Sequence, residues 1–234
     1  MYEQRLRDAL PRVEERIQRA RERAGGSNQV RIVAVTKGHP VAAVRAAVAV
    51  GLRDCGENRV GELDDKVGEM GRTAATWHLI GHLQRNKVRK AVPLFDVIHS
   101  IDSLRLAREL SAEAERSGVT VNGLVQVNAS SESAKSGIDI AGDIRPGIEA
   151  LQGICELPAL RITGVMTMAP LVAEESVLRS TFGRTRDLFE QAARQVDKFE
   201  ARDLSMGMSN DFEIAVEEGS TIVRLGTILF GERQ

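Results

Sequence analysis

Aromatic residues are scarce in this sequence of 234 residues. Phe, Trp and Tyr together make up 3% of it, with one Trp and one Tyr, whereas hydrophobic residues of all types make up 42%. Aliphatic side chains must therefore fill the core. A chain of this length buries enough apolar surface for one core, so we expect a single domain over residues 1–234.

Cysteines and long apolar runs are also few. Cys55 and Cys155 are the only cysteines and form no CxxC pair, which is the pattern of reduced thiols in a cytoplasmic protein. No apolar run approaches the roughly 20 residues that a membrane span needs. The first residues, MYEQRLRDALPRVEERIQR, alternate in charge and lack the apolar core of a signal peptide. We therefore predict a cytoplasmic location without membrane contact.

Neither sign of charge is in excess, with 32 Lys and Arg residues against 33 Asp and Glu residues. Nothing in this balance favours a nucleic acid partner. One basic cluster occurs at Arg85, Lys87, Arg89 and Lys90, and it has no interleaved aromatic residues. A solvated helix face is the favoured interpretation of this cluster, and contact with RNA or a protein partner is the alternative. No long apolar surface helix demands a partner, so we predict a monomer.

What the sequence does contain is a repeated alternation of short apolar runs and helical segments. The eight runs are VRIVAVTK, LRDCGEN, TWHLIGH, DVIHSID, NGLVQVN, RITGVMTM, DLSMGMS and TIVRLGT. Runs such as residues 32–35 do not alternate, which is typical of strands buried on both faces of a parallel sheet. Helical segments lie between the runs, for example at 103–117 and 174–200.

This order predicts an α/β fold, a single (β/α)₈ TIM barrel with an extra N-terminal helix. An open, doubly wound parallel sheet is the alternative. The most polar segment, residues 129–142, is predicted to be a mobile loop. Active sites of TIM barrels form at the carboxyl ends of the strands, so the polar residues that end each run are the candidate site.

Lys37 ends the first run, two residues after its apolar stretch at residues 32–35. A lysine amine at the rim of a barrel is partly desolvated, which lowers its pKa and makes it a candidate for Schiff-base formation. The alternative is a lysine whose stem covers apolar surface while its amine reaches solvent.

The last two runs resemble a phosphate site. Ser205 and Ser209 offer hydroxyl groups around Gly207, and Gly226 and Thr227 offer backbone N–H groups and a hydroxyl. TIM barrels often bind phosphate at the loops after strands seven and eight, and a helix that begins after Ser209 would also favour an anion. Ordinary turn and capping chemistry is the alternative. The first and eighth strands are neighbours in a closed barrel, so Lys37 and this site are expected to lie close together.

Several motifs in succession resemble those of the pyridoxal phosphate homeostasis proteins, the YggS/PROSC family, which are similar to the N-terminal barrel of alanine racemase. The matching segments are VAVTKGHP, CGENRVGE, WHLIGHLQRNKVR, IHSIDS, LVQVNASSESAKSGI, GVMTM and LSMGMSNDFEIAVEEGSTIVRLGTILFGER. Together they cover almost the whole chain. His39 departs from the residue that many members carry two positions after the lysine.

The resemblance implies that the protein binds pyridoxal 5′-phosphate (PLP), a form of vitamin B6. Six residues are implied as the site: Lys37 as the Schiff-base lysine, Asn58 near the cofactor ring, Ser205, Gly226 and Thr227 around the phosphate, and Arg224 facing the pyridine nitrogen. The implied role is intracellular PLP homeostasis as a buffer or carrier, with apo forms of PLP-dependent enzymes as candidate recipients.

Two enzymatic functions remain as alternative interpretations. A racemase would need a second base opposite the lysine, which alanine racemase takes as a tyrosine from a second domain. Here the sequence ends directly after the barrel, and the sole tyrosine, Tyr2, is far in sequence from every strand end. We therefore expect no enzymatic activity of that kind. An aldolase-like enzyme that uses Lys37 on a phosphorylated substrate is the weaker alternative.

The histidines and cysteines receive structural interpretations. His39, His78, His82 and His99 show no metal-binding spacing, so we expect no metal site. His82 is expected either to line the pocket or to be structural. Cys55 ends the second strand, where a buried structural thiol is the favoured interpretation.

Overall fold

Eight parallel strands close into a barrel in the computed structural model, which describes residues 1–26, 28–130, 136–171 and 173–232. The barrel strands are β1 (Arg31–Val35), β2 (Asp54–Glu57), β3 (Thr76–Leu79), β4 (Val97–Ile101), β5 (Val121–Asn128), β7 (Leu160–Met166), β8 (Asp203–Ser205) and β9 (Ile222–Leu225). Their order is β4-β3-β2-β1-β9-β8-β7-β5, and β4 pairs with β5 to complete the ring. This confirms the predicted (β/α)₈ TIM barrel.

Each of the eight predicted runs overlaps one barrel strand. The ninth strand, β6 (Ile138–Asp139), pairs in parallel with the end of β5 and lies inside the segment predicted to be a loop. Residues 131–135 of that segment lie outside the described residues, and so does the prediction of mobility made for them.

Helices surround the barrel. They are α1 (Tyr2–Arg23), α2 (Val41–Ala49), α3 (Val60–Met70), α4 (Val88–Ala91), α5 (Leu104–Ser117), α6 (Arg145–Cys155), α7 (Glu175–Gln195), α8 (Phe212–Glu217) and α9 (Thr227–Phe230). The extra helix α1 buries one apolar face, including Leu6 and Val13, and packs against α2, α8 and α9. Within the described ranges, none of these helices combines the length and the apolar character that a bilayer crossing requires.

Successive side chains of β3 and β4 alternate between two environments. Trp77 and Ile98 belong to the apolar core, whereas His78 and His99 bond to each other. This alternation is expected of strands in a sheet, whose side chains point in turn to opposite faces. Bulky branched side chains usually dominate the interior of a TIM barrel, but here buried polar groups occupy part of it. Those groups lie beneath the carboxyl ends of the strands, where the candidate site is found.

Candidate functional site

A pocket of about 780 Å³ opens at the carboxyl ends of the barrel strands. Its lining residues are Val35, Lys37, His39, Asn58, Ile80, Gly81, His82, Gln126, Ser136, Met168, Leu171, Met208, Ser209, Asn210, Asp211, Arg224, Gly226, Thr227, Gly231 and Glu232. Most of them end a strand or lie in the loop that follows it. The pocket therefore has the position expected of the active site of a TIM barrel.

Five of the six predicted site residues line this pocket, namely Lys37, Asn58, Arg224, Gly226 and Thr227. Ser205 is not among the lining residues. It is the last residue of β8 and is 0% exposed. Its Oγ accepts a hydrogen bond from Arg224 Nη1 at 2.7 Å and lies 3.1 Å from His99 Nδ1. Ser205 therefore lies beneath the pocket, whereas Ser209, which lies beyond the end of the strand, is one of the lining residues.

The backbone on both sides of Lys37 is held by a buried ion cluster from the next βα unit. Lys66 Nζ donates to the carbonyl oxygen of Thr36 at 2.8 Å and lies 3.3 Å from Glu62 Oε1. The N–H group of Gly38 donates to the same Glu62 carboxylate. Gly38 has φ +71°, a conformation that glycine adopts without the cost that other residues meet. The cluster therefore fixes the chain immediately before and after Lys37.

Glu57 is the buried anion of this cluster. Its Oε1 accepts from Lys66 Nζ at 2.6 Å and from Thr36 Oγ1 at 2.5 Å. Its Oε2 has no hydrogen-bond partner among the described residues. Burial raises the pKa of Glu57, and the ammonium of Lys66 opposes that shift. A buried carboxylate of this kind depends on its counter-ion, so the integrity of the Lys37 turn depends on Lys66.

Arg224 lies in the floor of the pocket and is 4% exposed. Its Nη1 donates to the carbonyl oxygen of Ser205 at 2.9 Å as well as to Ser205 Oγ, and its Nη2 donates to the carbonyl oxygen of Thr167 at 2.8 Å. Burial lowers the pKa of Arg224 to about 10, and Asp211 acts in the opposite direction. The guanidinium is still charged near neutral pH, and it can only donate hydrogen bonds.

The loops after β8 and β9 meet at the wall of the pocket that adjoins β1. Ser209 Oγ accepts from the backbone N–H of Ile228 at 3.4 Å, and the N–H of Arg224 donates to the carbonyl oxygen of Gly207 at 2.9 Å. A Cβ atom at Gly226 would lie 3.4 Å from Val35 Cβ, which is ordinary van der Waals contact, so this loop packs beside the end of β1. Hydroxyl and backbone N–H groups of these loops thereby line the same pocket as Lys37.

Asn58 and His82 border the pocket at the ends of β2 and β3. A Cβ atom at Gly81 would lie 2.5 Å from the carbonyl oxygen of Asn58, so only glycine allows these two strand ends to pack as they do. His82 is exposed, and its Nδ1 lies 3.2 Å from Asp102 Oδ2. His82 therefore lines the pocket, which was one of its two expected positions.

Comparisons with known proteins agree with this geometry. The family described as "Alanine racemase, N-terminal domain" matches residues 9–234. The pyridoxal phosphate homeostasis protein of Aquifex aeolicus is 38% identical over 228 residues, which are 97% of this chain and 98% of that protein. The protein of the same name from Pseudomonas aeruginosa is 38% identical over 229 residues, covering 97% of this chain and 96% of that one.

The chain belongs to the pyridoxal phosphate homeostasis protein family.

Solved structures of similar proteins extend the comparison. PipY of Synechococcus elongatus, in a structure with PLP bound, has a TM-score of 0.78 and 38% identity, covering 86% of this chain and 92% of that one. A protein of Bifidobacterium adolescentis has a TM-score of 0.88 and 36% identity over 98% of this chain and 96% of that one. An alanine racemase of Clostridium difficile, at 14% identity and a TM-score of 0.72, shares the fold and is matched over 60% of its length.

Tyr2, the sole tyrosine, lies close to the pocket. Its hydroxyl is 3.3 Å from His39 Nδ1, and the two rings meet edge to face with their centroids 5.7 Å apart. His39 lines the pocket, two residues after Lys37. Tyr2 is far in sequence from every strand end, but helix α1 packs against helix α9 and brings its first residue to the rim.

The remaining candidates do not contribute to the pocket. Cys55 and Cys155 are free and buried, and burial raises the pKa of each thiol to about 12. Across the part of the chain that the structure describes, no three His, Cys, Asp or Glu side chains are grouped to hold a metal ion. In the basic cluster, Arg85 pairs with Glu109 and Lys90 pairs with Asp64 on the exposed surface.

The buried ion cluster yields a prediction about stability. Lys66→Met should lower the free energy of unfolding at pH 7 by about 3–5 kcal/mol, because the Glu57 carboxylate would stay buried without its counter-ion. Lys90→Met is the matched control, since Lys90 forms an exposed ion pair with Asp64, and it should cost less than about 1 kcal/mol. Denaturant unfolding of both variants and the wild type measures the difference.

The deficit of Lys66→Met should shrink as the pH falls from about 7 to 5. Without the ammonium, the already raised pKa of Glu57 rises further, so the folded state holds a proton that the unfolded state releases. The contribution of Glu57 to the stability of the variant is then greatest at low pH and is lost as the pH rises through its folded pKa. Equal deficits for the two lysine variants would show that Lys66 is not the counter-ion on which Glu57 depends.

Proposed function

We propose that this protein binds PLP in the pocket as a Schiff base on Lys37 and acts in intracellular PLP homeostasis as a buffer or carrier. The observation that supports this most strongly is that one pocket brings together a lysine, an arginine and a set of hydroxyl and backbone N–H groups. These belong to Lys37, to Arg224, and to Ser209, Gly226 and Thr227. The names of the relatives and the PLP-bound structure of PipY support the same ligand.

The donor groups of the pocket match the three functional groups of PLP. An amine is available for the aldehyde, a guanidinium for the ring nitrogen, and hydroxyl and N–H groups for the phosphate. The strand register places these groups at different depths. Arg224 is level with Val33, whereas Gly226 lies beside Val35 and Lys37 follows two residues later. The ring nitrogen would therefore be met at the floor of the pocket, and the aldehyde and phosphate nearer its rim.

We assign the phosphate to Ser209, Gly226 and Thr227, and not to Ser205. Ser209 lines the pocket, and its Oγ already accepts a backbone N–H from the neighbouring loop. Its own O–H group is then available as a donor toward an anion. The hydroxyl of Ser205 is enclosed by Arg224 and His99. Asn58 is assigned to the edge of the cofactor ring, since it lines the pocket between Lys37 and His82.

Lys37 holds the cofactor by condensation of its neutral amine with the aldehyde, which forms a C=N bond and releases one water molecule. When bound, PLP supplies an electron sink for carbanions at the α-carbon of amino acids. Arg224 weakens that property, because a positively charged donor beside the pyridine nitrogen disfavours its protonation. The pocket is therefore better suited to retain PLP than to activate it.

The proposal extends to the setting in which the protein works. We infer that residues 1–234 act as one PLP-binding domain, as a monomer in the cytoplasm, and deliver PLP to apo forms of PLP-dependent enzymes. Two buried, free thiols are consistent with a reducing compartment. Neither a nucleic acid nor a membrane is part of this proposal.

A racemase-like enzyme is the second candidate, and the Tyr2–His39 pair is the observation that favours it. Tyr2 and His39 are hydrogen-bonding groups that can exchange protons, and His39 lines the pocket near Lys37. Tyr2 itself, however, is not among the lining residues, and its hydroxyl is directed at His39. We therefore give the pair a structural role in holding α1 against the rim of the barrel.

The covalent assignment is tested by Lys37→Ala. The purified wild type, incubated with PLP and reduced with borohydride, should carry one phosphopyridoxyl group on Lys37, located by peptide mass spectrometry. Lys37→Ala should carry none, while Lys87→Ala, which removes an exposed lysine of the basic cluster, should label like the wild type. Labelling of Lys37→Ala at the wild-type stoichiometry would refute the assignment.

The phosphate assignment is tested by comparing PLP with pyridoxal, which lacks the phosphate. Ser209→Ala should weaken PLP binding by about 1–3 kcal/mol, the value of a charge-assisted hydrogen bond, and should hardly change pyridoxal binding. Ser205→Ala is the matched control and should leave the ratio of the two affinities close to that of the wild type. If the ratio of the PLP affinity to the pyridoxal affinity fell in Ser205→Ala and not in Ser209→Ala, the phosphate would have to be assigned to Ser205.

A further inference from the structure

A continuous chain of hydrogen bonds crosses the interior of the barrel beneath the pocket. Arg224 Nη1 donates to Ser205 Oγ at 2.7 Å, and Ser205 Oγ lies 3.1 Å from His99 Nδ1. His99 Nε2 lies 2.8 Å from His78 Nδ1, and His78 Nε2 lies 2.8 Å from Asp54 Oδ1. The chain thus runs from β9 through β8, β4 and β3 to the first residue of β2.

The two ends of this chain determine its direction. A guanidinium only donates hydrogen bonds, and a carboxylate only accepts them. With both imidazoles neutral, His78 must donate from Nε2 to Asp54 and accept at Nδ1 from His99. His99 then accepts at Nδ1, so the hydroxyl of Ser205 must donate to it. Every link therefore points from Arg224 toward Asp54, and both histidines are in the Nε2–H form.

Burial supports the neutral state of the central histidine. His99, Ser205 and Arg224 are all buried. Burial lowers the pKa of His99 well below its usual value, and the positive charge of Arg224 acts in the same direction. A neutral His99 can accept the Ser205 O–H, which leaves the oxygen lone pairs of Ser205 directed at the guanidinium.

This chain of hydrogen bonds helps to fix the orientation of the Arg224 guanidinium. Both hydrogens of Nη1 are bound, one by the carbonyl oxygen of Ser205 and one by its Oγ, and one hydrogen of Nη2 is bound by the carbonyl oxygen of Thr167. The guanidinium is planar and its donors are arranged in a fixed fork. Holding three of them below the pocket therefore sets where the remaining N–H groups point.

We propose that Asp54, His78, His99 and Ser205 are positioning residues that hold Arg224 as a fixed donor, so that the pocket selects ligands whose ring presents a nitrogen acceptor. This inference rests on the proposed function, which supplies PLP as the ligand, and it extends that function by naming what sets the ring specificity. It assigns Ser205 a role that is distinct from phosphate binding.

The test compares PLP with its carbocyclic analogue, in which a C–H group replaces the pyridine nitrogen. The wild type should bind PLP at least about tenfold more tightly than the analogue, the factor expected of one hydrogen bond from a charged donor. Ser205→Ala should reduce this preference to within about threefold, because Nη1 loses one of its two acceptors. The intrinsic reactivity of the two aldehydes is common to all variants, so it cancels when the preference of a variant is divided by that of the wild type.

Two variants at His99 separate positioning from general packing. His99→Leu should lose the preference as Ser205→Ala does, whereas His99→Asn should keep most of it, because the asparagine Oδ1 can replace Nδ1 as the acceptor for Ser205. Ser100→Ala is the matched control. It removes a buried hydroxyl from the neighbouring residue of the same strand, one without a hydrogen-bond partner in the described part of the chain, and should leave the preference unchanged.

The direction of the chain is tested by ¹⁵N NMR of the histidine side chains in the full-length protein. In both His78 and His99 the ring proton should lie on Nε2 and none on Nδ1. A proton on Nδ1 of either ring would reverse its link and overturn the proposed order. Unchanged ring preference in both Ser205→Ala and His99→Leu would overturn the positioning role while Schiff-base formation on Lys37 persists. Absence of that Schiff base from the wild type would instead refute the proposed function.

Discussion

The charge of Arg224, buried in the floor of the pocket, is the constraint around which the site is arranged. A guanidinium removed from water needs acceptors on its bound side, and the barrel supplies two carbonyl oxygens and the hydroxyl of Ser205. Satisfying that hydroxyl in turn requires a neutral His99, then His78, and finally the carboxylate of Asp54. Polar residues therefore occupy interior positions that TIM barrels usually fill with branched aliphatic side chains.

A second buried charge pair, Lys66 with Glu57, lies on the other side of β1 and holds the turn that carries Lys37. The backbone around Lys37 and the guanidinium of Arg224 are thus held by separate networks. Both networks favour a stationary ligand, and the charge of Arg224 lowers the capacity of a bound pyridine ring to accept electrons. This combination is the physical basis of our proposal that the pocket retains PLP and does not act on amino acids.

Much of the fold could be predicted from the sequence, because eight short apolar runs separated by helical segments leave few arrangements of parallel strands. The positions of Lys37, Gly226 and Thr227 at the pocket could be predicted because each lies within two residues of the end of a strand. The sequence does not distinguish Ser205 from Ser209, because a strand end and a loop residue look alike in sequence, although Ser205 is buried beneath the pocket and Ser209 lines it. The position of Tyr2 and the pairing of His78 with His99 depend on contacts between distant segments, which spacing along the chain does not reveal.

The claim that the site holds PLP without turning it over is tested most directly by exchange of the α-proton of amino acids. The PLP-loaded protein, mixed with L-alanine or another amino acid in deuterated water, is followed by proton NMR. The account predicts no exchange above the rate produced by free PLP at the same concentration. Exchange at enzyme-like rates that disappears in Lys37→Ala would contradict it and would favour a racemase-like activity.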